Sequence, residues 1–230
     1  MRGFRDIHSH FVYGVDDGAR ERSDMELMLD AAHADRVISL VATPHVTPGL
    51  SPFDQAAFSR HFAEAKEYCR SCGYGMTLYA GAEILYTPAI QNYVSRHRLP
   101  TLGDSNAVLM EFVPDVPYAE IQEALELMER YGYLTVMAHV ERYKCLFRGR
   151  NLKRIKDDFD VRFQMNCRTV YGKNGFWQGY RIGKWLKEGY IDCISSDAHN
   201  MTTRPFGMRP AYRTLCERVG KAEARRMTGL

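Results

Sequence analysis

Two histidines separated by one residue end a short strand-like run near the start of the chain. The run covers residues 4–10, and it places His8 and His10 two positions apart. Side chains two positions apart point to the same side of an extended strand. Two imidazoles on one side of a strand can bind a single divalent ion. A bare His-x-His is weak evidence on its own, so its weight depends on the rest of the chain.

The same arrangement recurs in four later segments, each an apolar or small-residue run that ends in a histidine or an acidic residue. With Asp17 from the early Asp-Asp-Gly turn, eight candidate metal ligands result. They are His8, His10, Asp17, His45, Glu83, His139, Asp197 and His199. This is too many for one catalytic zinc ion with three protein ligands. It is enough for two or three ions that share a bridging carboxylate, and Glu83, interpreted as the only acidic group that ends its strand, is the expected bridge.

Imidazole and carboxylate ligands together suit borderline divalent ions such as manganese, iron and zinc. Clusters of two or three such ions activate water and hold the oxygens of a phosphoryl group during in-line displacement. Two arginines follow these ligands closely, Arg142 after His139 and Arg204 after His199. A guanidinium offers a planar fork of donors that matches two phosphate oxygens. We therefore predict that both arginines bind phosphate beside the metal cluster.

Each of these groups also has a simpler interpretation when it is taken alone. Asp197 and His199 could belong to a polar strand-to-helix turn. Glu83 could be a capping carboxylate, and His139 could be a buried histidine with satisfied hydrogen bonds. Either arginine could pair with a carboxylate at the rim of the site. All of these explanations would have to hold together, so the joint arrangement favours a metal site.

The rest of the chain predicts a scaffold that brings these strand ends together. Apolar and β-branched runs alternate with segments whose apolar residues recur at helical spacing, in roughly seven strand–helix units. The predicted strands are 4–10, 37–42, 76–80, 106–112, 134–138, 161–165 and 191–194, and the predicted helices are 21–36, 51–72, 88–96, 118–131, 152–157, 176–188 and 210–219. Such alternation implies a parallel sheet with right-handed crossovers, which this number of units would close into a barrel. In barrels of this type function gathers at the C-terminal ends of the strands, where the candidate ligands fall.

Length and composition restrict the class of protein. The 230 residues fit one domain, and 45% hydrophobic with 26% charged residues is the composition of a soluble globular protein. A formal charge of +3 without a basic block gives no support for a nucleic-acid partner. No apolar run approaches the ~18 residues that cross a bilayer, and the N-terminus lacks a signal-peptide pattern. We therefore expect a cytoplasmic protein without membrane insertion, whose six cysteines are reduced.

Six motifs follow one another in order along nearly the whole chain. They are Asp6-Ile7-His8-Ser9-His10, Asp16-Asp17-Gly18-Ala19, Ala42-Thr43-Pro44-His45, Gly81-Ala82-Glu83, Ala138-His139-Val140-Glu141-Arg142-Tyr143 and Ser196-Asp197-Ala198-His199-Asn200. Together they resemble the polymerase-and-histidinol-phosphatase (PHP) superfamily. More closely, they resemble its bacterial manganese-dependent protein-tyrosine phosphatases, which accompany capsule and exopolysaccharide tyrosine kinases. The resemblance implies an α/β fold, a distorted (β/α)7 barrel that forms a single domain over residues 1–230.

The resemblance also implies three metal positions, with manganese as the expected ion and iron or zinc as alternatives. The ligands implied for the first ion are His8, His10, Glu83 and Asp197. Those implied for the second are Glu83, His45 and His139. Asp17 and His199 would help to hold the third, whose shell of protein groups looks incomplete, and Asp16 is the alternative to Asp17. The implied catalytic residues are Arg142, Arg204, Asp197 and His199.

The function that these residues and the resemblance indicate is the hydrolysis of a phosphate ester. The expected substrate is phosphotyrosine in the C-terminal tail of a bacterial tyrosine kinase that regulates capsular or exopolysaccharide synthesis. The nearest alternative is a small-molecule phosphatase of the same superfamily, such as one for histidinol phosphate, because substrate choice depends on loop shape. A shallow mouth that admits a peptide would favour the tyrosine phosphatase, and a deep closed pocket would favour the small ester.

Three further classes are less consistent with the sequence. A non-catalytic module that binds a phosphorylated partner would be expected to have lost ligands, and all eight candidates are present. Deaminase and amidohydrolase barrels also begin with His-x-His, but they usually use a lysine bridge where Glu83 stands. A cysteine-dependent phosphatase is excluded, because no cysteine has an arginine six positions later. The sequence leaves homo-oligomerisation open.

Overall fold

The computed structural model describes residues 3–49, 53–96, 98–172 and 174–230. The strands in these ranges are β1 (Phe4–Ser9), β2 (Val37–Ala42), β3 (His45–Val46), β4 (Thr77–Ala80), β5 (Glu83–Leu85), β6 (Ala107–Glu111), β7 (Leu134–Met137), β8 (Val161–Asn166) and β9 (Cys193–Ser195). The α-helices are α1 (Arg22–Ala34), α2 (Gln55–Ser71), α3 (Gln91–Val94), α4 (Tyr118–Arg130), α5 (Asn151–Asp158), α6 (Cys167–Tyr171), α7 (Phe176–Lys187), α8 (Met208–Val219) and α9 (Lys221–Thr228). Short 3-10 helices cover Pro88–Ile90, Val140–Arg142 and Lys144–Phe147.

The strands form two sheets, and the paired strands in the described residues are all parallel. One sheet has the order β1-β2-β4 and the other has the order β3-β5-β6-β7-β8-β9. The chain passes from one sheet to the other twice, each time over two residues. Residues 43–44 separate β2 from β3, and residues 81–82 separate β4 from β5. Pro44 has no N–H to continue a ladder, and a Cβ on Gly81 would lie 3.0 Å from the Leu102 side chain. Beyond the interruptions His45 and Glu83 pair in register.

The first strand also meets the segment that follows the last one. The His10 amide donates to the Ala198 carbonyl over 2.8 Å, and the Asp197 amide donates to the His8 carbonyl over 2.9 Å. Ser9 and Ala198 form an isolated parallel bridge between these bonds. The first and last ligand motifs of the chain therefore lie side by side.

Amphipathic helices cover the sheets because their apolar residues recur every three or four positions. In α1 the buried residues are Met25, Met28, Leu29 and Ala32, and in α4 they are Ile121, Ala124, Leu125 and Met128. Strand β6 is buried on both faces, because Val108, Leu109 and Met110 are all fully buried. The helices and the sheets thus hold the strand ends in fixed positions.

The structure confirms the predicted α/β class with parallel strands, and most predicted helices and strands agree with it to within a few residues. The predicted helix 51–72 corresponds to α2 from Gln55, while positions 51 and 52 lie outside the described residues. Two helices were not predicted, α6 and α9; α9 is separate because Gly220, with φ of 85°, ends α8. His45 and Glu83 do not end β2 and β4 directly but begin the short strands β3 and β5. No helix in the described part of the chain is long and apolar enough to span a bilayer.

Candidate metal centre

The eight predicted ligands lie together at the end of the molecule where the parallel strands finish. Six of them are at most 2% exposed: His8, His10, Glu83, His139, Asp197 and His199. The other two stand at the solvent edge, where the side chains of His45 and Asp17 are 34% and 64% exposed. The sequence pattern of polar residues after apolar runs therefore identified groups that share one place in the fold.

Glu83 lies at the centre of this cluster. Its Oε1 accepts a hydrogen bond from His139 Nε2 over 2.7 Å. Its Oε2 is within 3.1–3.3 Å of three more imidazole nitrogens, on His8, His10 and His45. None of these three approaches has hydrogen-bond geometry, so the buried oxygen has no hydrogen-bond partner among the described residues. A carboxylate oxygen that faces several imidazoles without bonding to them fits a bridging metal ligand.

Three sets of ligand atoms are each compact enough to surround one ion, with all of their atoms within 4.8 Å of one another. They are His8, His10, Glu83 and Asp197; His45, Glu83 and Glu111; and His10, Asp17, His45 and His199. The sets share members, as neighbouring ions with common ligands would require. His199 Nε2 is buried without a hydrogen-bond partner in the described residues and is therefore available to an ion. This mixed nitrogen and oxygen donor set fits borderline divalent ions.

The three sets match the ligands implied by the resemblance only in part. The first set is the same. The second has Glu111 in place of His139, although His139 Nε2 is still 3.5 Å from Glu111 Oε1. The third set contains His10 and His45 in addition to Asp17 and His199, so its shell has four groups rather than two.

Glu111 is the residue that the sequence analysis missed. It is the last residue of β6, directly after the buried run 108–110. The interpretation of Glu83 as the only acidic group that ends its strand was therefore wrong. The predicted strand 106–112 ran past Glu111, which concealed the same run-end signal that identified the other candidate ligands.

The adjacent carboxylates of Asp16 and Asp17 contact different parts of the cluster. Asp16 Oδ2 lies 2.7 Å from His10 Nδ1, and its Oδ1 accepts a hydrogen bond from the Gly18 amide over 2.9 Å. Asp16 therefore orients the His10 ring from behind and leaves Nε2 facing the cluster. Asp17 Oδ1 lies 3.3 Å from His45 Nε2 and 3.4 Å from His199 Nε2. Asp17 is thus the one of the two that stands among the candidate ligands.

The backbone and a buried amide fix two more of the candidate ligands. His139 and Asp197 have positive φ angles of 32° and 53°, a conformation that costs non-glycine residues on the order of 1–3 kcal/mol. Gln164, fully buried in β8, accepts a hydrogen bond from the His139 amide over 2.7 Å. The same oxygen lies 3.2 Å from His8 Nδ1. Strained backbone and a buried amide together aim these side chains into the cluster.

The carboxylates of the cluster do not share one electrostatic environment. Burial opposes ionisation of Glu83, but His8, His10 and His139 hold its pKa well below the usual range. Burial also opposes ionisation of Asp197, but His8, His139 and Arg142 together outweigh it and lower that pKa. Burial and the neighbouring charge of Glu83 raise the pKa of Glu111 to about 7. Glu83 and Asp197 therefore favour the ionised form, and divalent ions bound beside Glu111 would favour ionisation of that carboxylate as well.

Arg142 and Arg204 converge on Asp197 from the open side of the cluster. Arg142 Nη2 donates to Asp197 Oδ2 over 2.5 Å. Arg204 Nη2 donates to both carboxylate oxygens, over 2.9 and 2.8 Å. Their side chains are 39% and 31% exposed, so both can also contact a bound molecule. Glu141, the acidic residue next to Arg142 in the chain, accepts hydrogen bonds from the Asn166 amide and the Thr169 hydroxyl.

Comparisons of the sequence and of the fold with known proteins point to the same family. The family model described as "Capsular polysaccharide synthesis, CpsB/CapC" matches residues 4–229. The tyrosine-protein phosphatase CpsB of Streptococcus pneumoniae is 29% identical, over 96% of this chain and 93% of that protein. The tyrosine-protein phosphatase YwqE of Bacillus subtilis (strain 168) is 26% identical, over 94% and 85%. A solved structure from a study of YwqE and CpsB, described there as metal-dependent tyrosine phosphatases, superimposes with a TM-score of 0.85 at 23% identity, covering 96% of this chain and 90% of that one.

Proposed function

The chain belongs to the CpsB/CapC family of capsular polysaccharide synthesis proteins, and from this premise we propose that it is a metal-dependent protein-tyrosine phosphatase. The observation that carries the proposal is the position of Glu83, a buried carboxylate among four imidazoles with two arginines beside the same cluster. Relatives that match almost the whole chain are named tyrosine-protein phosphatases. The proposed reaction is the hydrolysis of a phosphate monoester.

We assign the eight predicted ligands, together with Glu111, to two or three divalent ions. Manganese is the proposed metal, with iron and zinc as alternatives that the same donors accept. Ions bound here would activate a water molecule for in-line attack at phosphorus and would neutralise charge on the phosphoryl oxygens. The overlapping ligand sets and the unpartnered Glu83 Oε2 support this assignment.

Within the protein, Asp197 joins the ligand cluster to the phosphate site. Arg142 and Arg204 both donate to its carboxylate, and both are open to solvent on one side. When Asp197 binds an ion, each guanidinium keeps N–H groups that can donate to the substrate's phosphate dianion. The arginines would then stabilise charge on the equatorial oxygens as the water oxygen bonds to phosphorus and the phenolate leaves. The phenolate takes up a proton, and the products are tyrosine and inorganic phosphate.

The proposed substrate is a phosphotyrosyl protein, in particular the C-terminal tail of a tyrosine kinase that regulates capsular or exopolysaccharide synthesis. The open space beside Arg142 has a volume of about 1370 Å³. This space is an open groove rather than a deep closed pocket, so it leaves room for a peptide beside the phosphate site. That shape favours the tyrosine phosphatase over the histidinol-phosphate type of enzyme.

We also propose that residues 1–230 form one domain, a distorted (β/α)7 barrel. If β2 with β3 and β4 with β5 count as two interrupted strands, seven strands succeed one another around the site. The bridge between Ser9 and Ala198 supports closure between the first and the last. A cytoplasmic location is part of the proposal, and the six free cysteines are in keeping with a reducing compartment.

The central test replaces His45 or Asp197 with alanine and measures hydrolysis of a phosphotyrosyl peptide. Loss of a ligand should lower turnover by about 10³-fold or more, on the order of 4 kcal/mol in the barrier. Far-UV circular dichroism should remain that of the wild type. His33→Ala is the matched control, because His33 is an exposed histidine on α1 that stacks on Tyr74.

Three outcomes would contradict the proposal. Full activity of Asp197→Ala would refute the role of the cluster. A higher kcat/KM for histidinol phosphate than for the peptide would favour the small-molecule phosphatase. Tight binding of the peptide without turnover would favour a non-catalytic phospho-binding module.

A further inference from the structure

An open groove begins at Arg142 and leads away from the ligand cluster. Its walls come from the segments that follow β7 and β8, from the loop after His199 and from α7. Asn166, which also lines it, donates a hydrogen bond to Asp197 over 2.7 Å. The groove is therefore continuous with the proposed phosphate site, and a chain that leaves that site can enter it.

The groove is strongly cationic. The basic residues that line it are Arg142, Lys144, Arg168 and Arg181. Among the described lining residues Glu141 is the acidic one, and it is 5% exposed with one carboxylate oxygen bonded to the Asn166 amide. An occupant of this groove therefore meets positive charge with little acidic compensation.

Two of these cations remain available to a ligand. Lys144 pairs with Asp115 over 2.6 Å, but both side chains are at least 70% exposed, and such exposed surface pairs add little stability. Arg181 Nη1 makes a long hydrogen bond of 3.4 Å to the Gly149 carbonyl. Arg168 is more committed, because its Nη1 donates to the Thr203 carbonyl over 2.6 Å. Lys144 and Arg181 can therefore turn toward carboxylates in the groove at little cost.

An aromatic side chain forms part of the same wall. Trp177 lines the groove from the first turn of α7 and is 78% exposed, and its neighbour Phe176 is 80% exposed. Large aromatic side chains exposed side by side are typical of surfaces that bind a partner. The combination of an exposed aromatic ring and weakly held cations suits an extended peptide with acidic residues.

We propose that this groove binds the peptide segment next to the substrate's phosphotyrosine and selects acidic residues within it. The inference rests on the proposed phosphatase function and adds a substrate preference to it. Arg142 contacts the phosphate at one end, Lys144 and Arg181 attract flanking carboxylates, and Trp177 packs against the peptide. Exposed charges of this kind act mainly on the rate at which enzyme and substrate associate and on the choice between substrates. We therefore expect the acidic preference to appear in kcat/KM.

The experiment compares two phosphotyrosyl peptides that differ only in flanking residues, Asp and Glu in one, Asn and Gln in the other. The wild-type enzyme should prefer the acidic peptide by about 10-fold in kcat/KM at low salt, and the preference should shrink as salt screens the charges. The Lys144→Gln/Arg181→Gln variant should reduce the preference to about 2-fold or less. The matched control, Arg130→Gln/Arg154→Gln, removes two exposed cations on α4 and α5 that do not line the groove, and it should keep the preference.

Equal kcat/KM values for the two peptides in the wild type would overturn the inference. Retention of the full preference in Lys144→Gln/Arg181→Gln, or equal loss in the control, would overturn it as well. p-Nitrophenyl phosphate separates this failure from failure of the proposed function. Hydrolysis of that ester without a peptide preference refutes the groove alone, whereas no hydrolysis of any ester refutes the phosphatase and the groove together.

Discussion

The ligand cluster and the groove beside it are built in opposite ways. In the cluster, six of the eight predicted ligands are at most 2% exposed, and strand ends hold them in place. In the groove, exposed side chains project from loops and from α7, with few fixed contacts. Buried groups on rigid elements can be preorganised for chemistry, whereas exposed groups adapt to a partner. The difference implies that substitutions in the cluster have large effects on turnover and substitutions in the groove have small ones.

The largest expected effect is at Glu83, and Glu111 allows a comparison within the cluster. Glu83→Gln keeps the side-chain volume but removes the charge that faces the imidazoles, and it should lower kcat/KM by about 10³-fold or more. Glu111→Gln should cost less, about 10²-fold, because Glu111 belongs to one ligand set and Glu83 belongs to two. Steady-state kinetics with a phosphotyrosyl peptide and saturating manganese measure both. If Glu83→Gln lowered kcat/KM by less than 10-fold, Glu83 would not be the central carboxylate of the site.

The smallest expected effect is on stability at the wall of the groove. Trp177→Ala should change the free energy of unfolding by less than about 0.5 kcal/mol, because the side chain is mostly exposed. Phe163→Ala, at a fully buried position in β8, should cost about 3–5 kcal/mol and is the contrasting variant. Urea denaturation followed by circular dichroism measures both values. A loss at Trp177 comparable to that at Phe163 would mean that Trp177 packs as part of the core and does not belong to an exposed binding surface.

The contrast between the buried cluster and the exposed groove also explains what the sequence could predict. Most of the candidate ligands follow apolar runs, and parallel strands with right-handed crossovers bring such run ends to one edge, so local pattern and topology predicted their proximity. Pattern could not predict that Pro44 and Gly81 interrupt two strands and shift His45 and Glu83 into a second sheet. Glu111 carried the same run-end signal but was concealed because the predicted strand extended to residue 112.

The groove had no comparable signal. Residues 172–177 show no chemical motif, and the groove's cations, apart from the neighbours Arg142 and Lys144, lie far apart along the chain without any periodicity. Lys144, Arg168 and Arg181 come together only because the segments after β7 and β8 and helix α7 meet in the fold. Recognition surfaces assembled from loops depend on tertiary structure in a way that strand-end chemistry does not.

Elemental analysis of the purified protein, after reconstitution with manganese and removal of free ions, tests the central claim most directly. If the strand ends converge on a shared cluster, the wild type should retain about two or more ions per chain. Glu83→Gln should then lose at least one of them while its circular dichroism spectrum is unchanged. A wild-type protein that hydrolyses phosphotyrosine without bound metal, or a Glu83→Gln protein with undiminished metal content, would contradict the account.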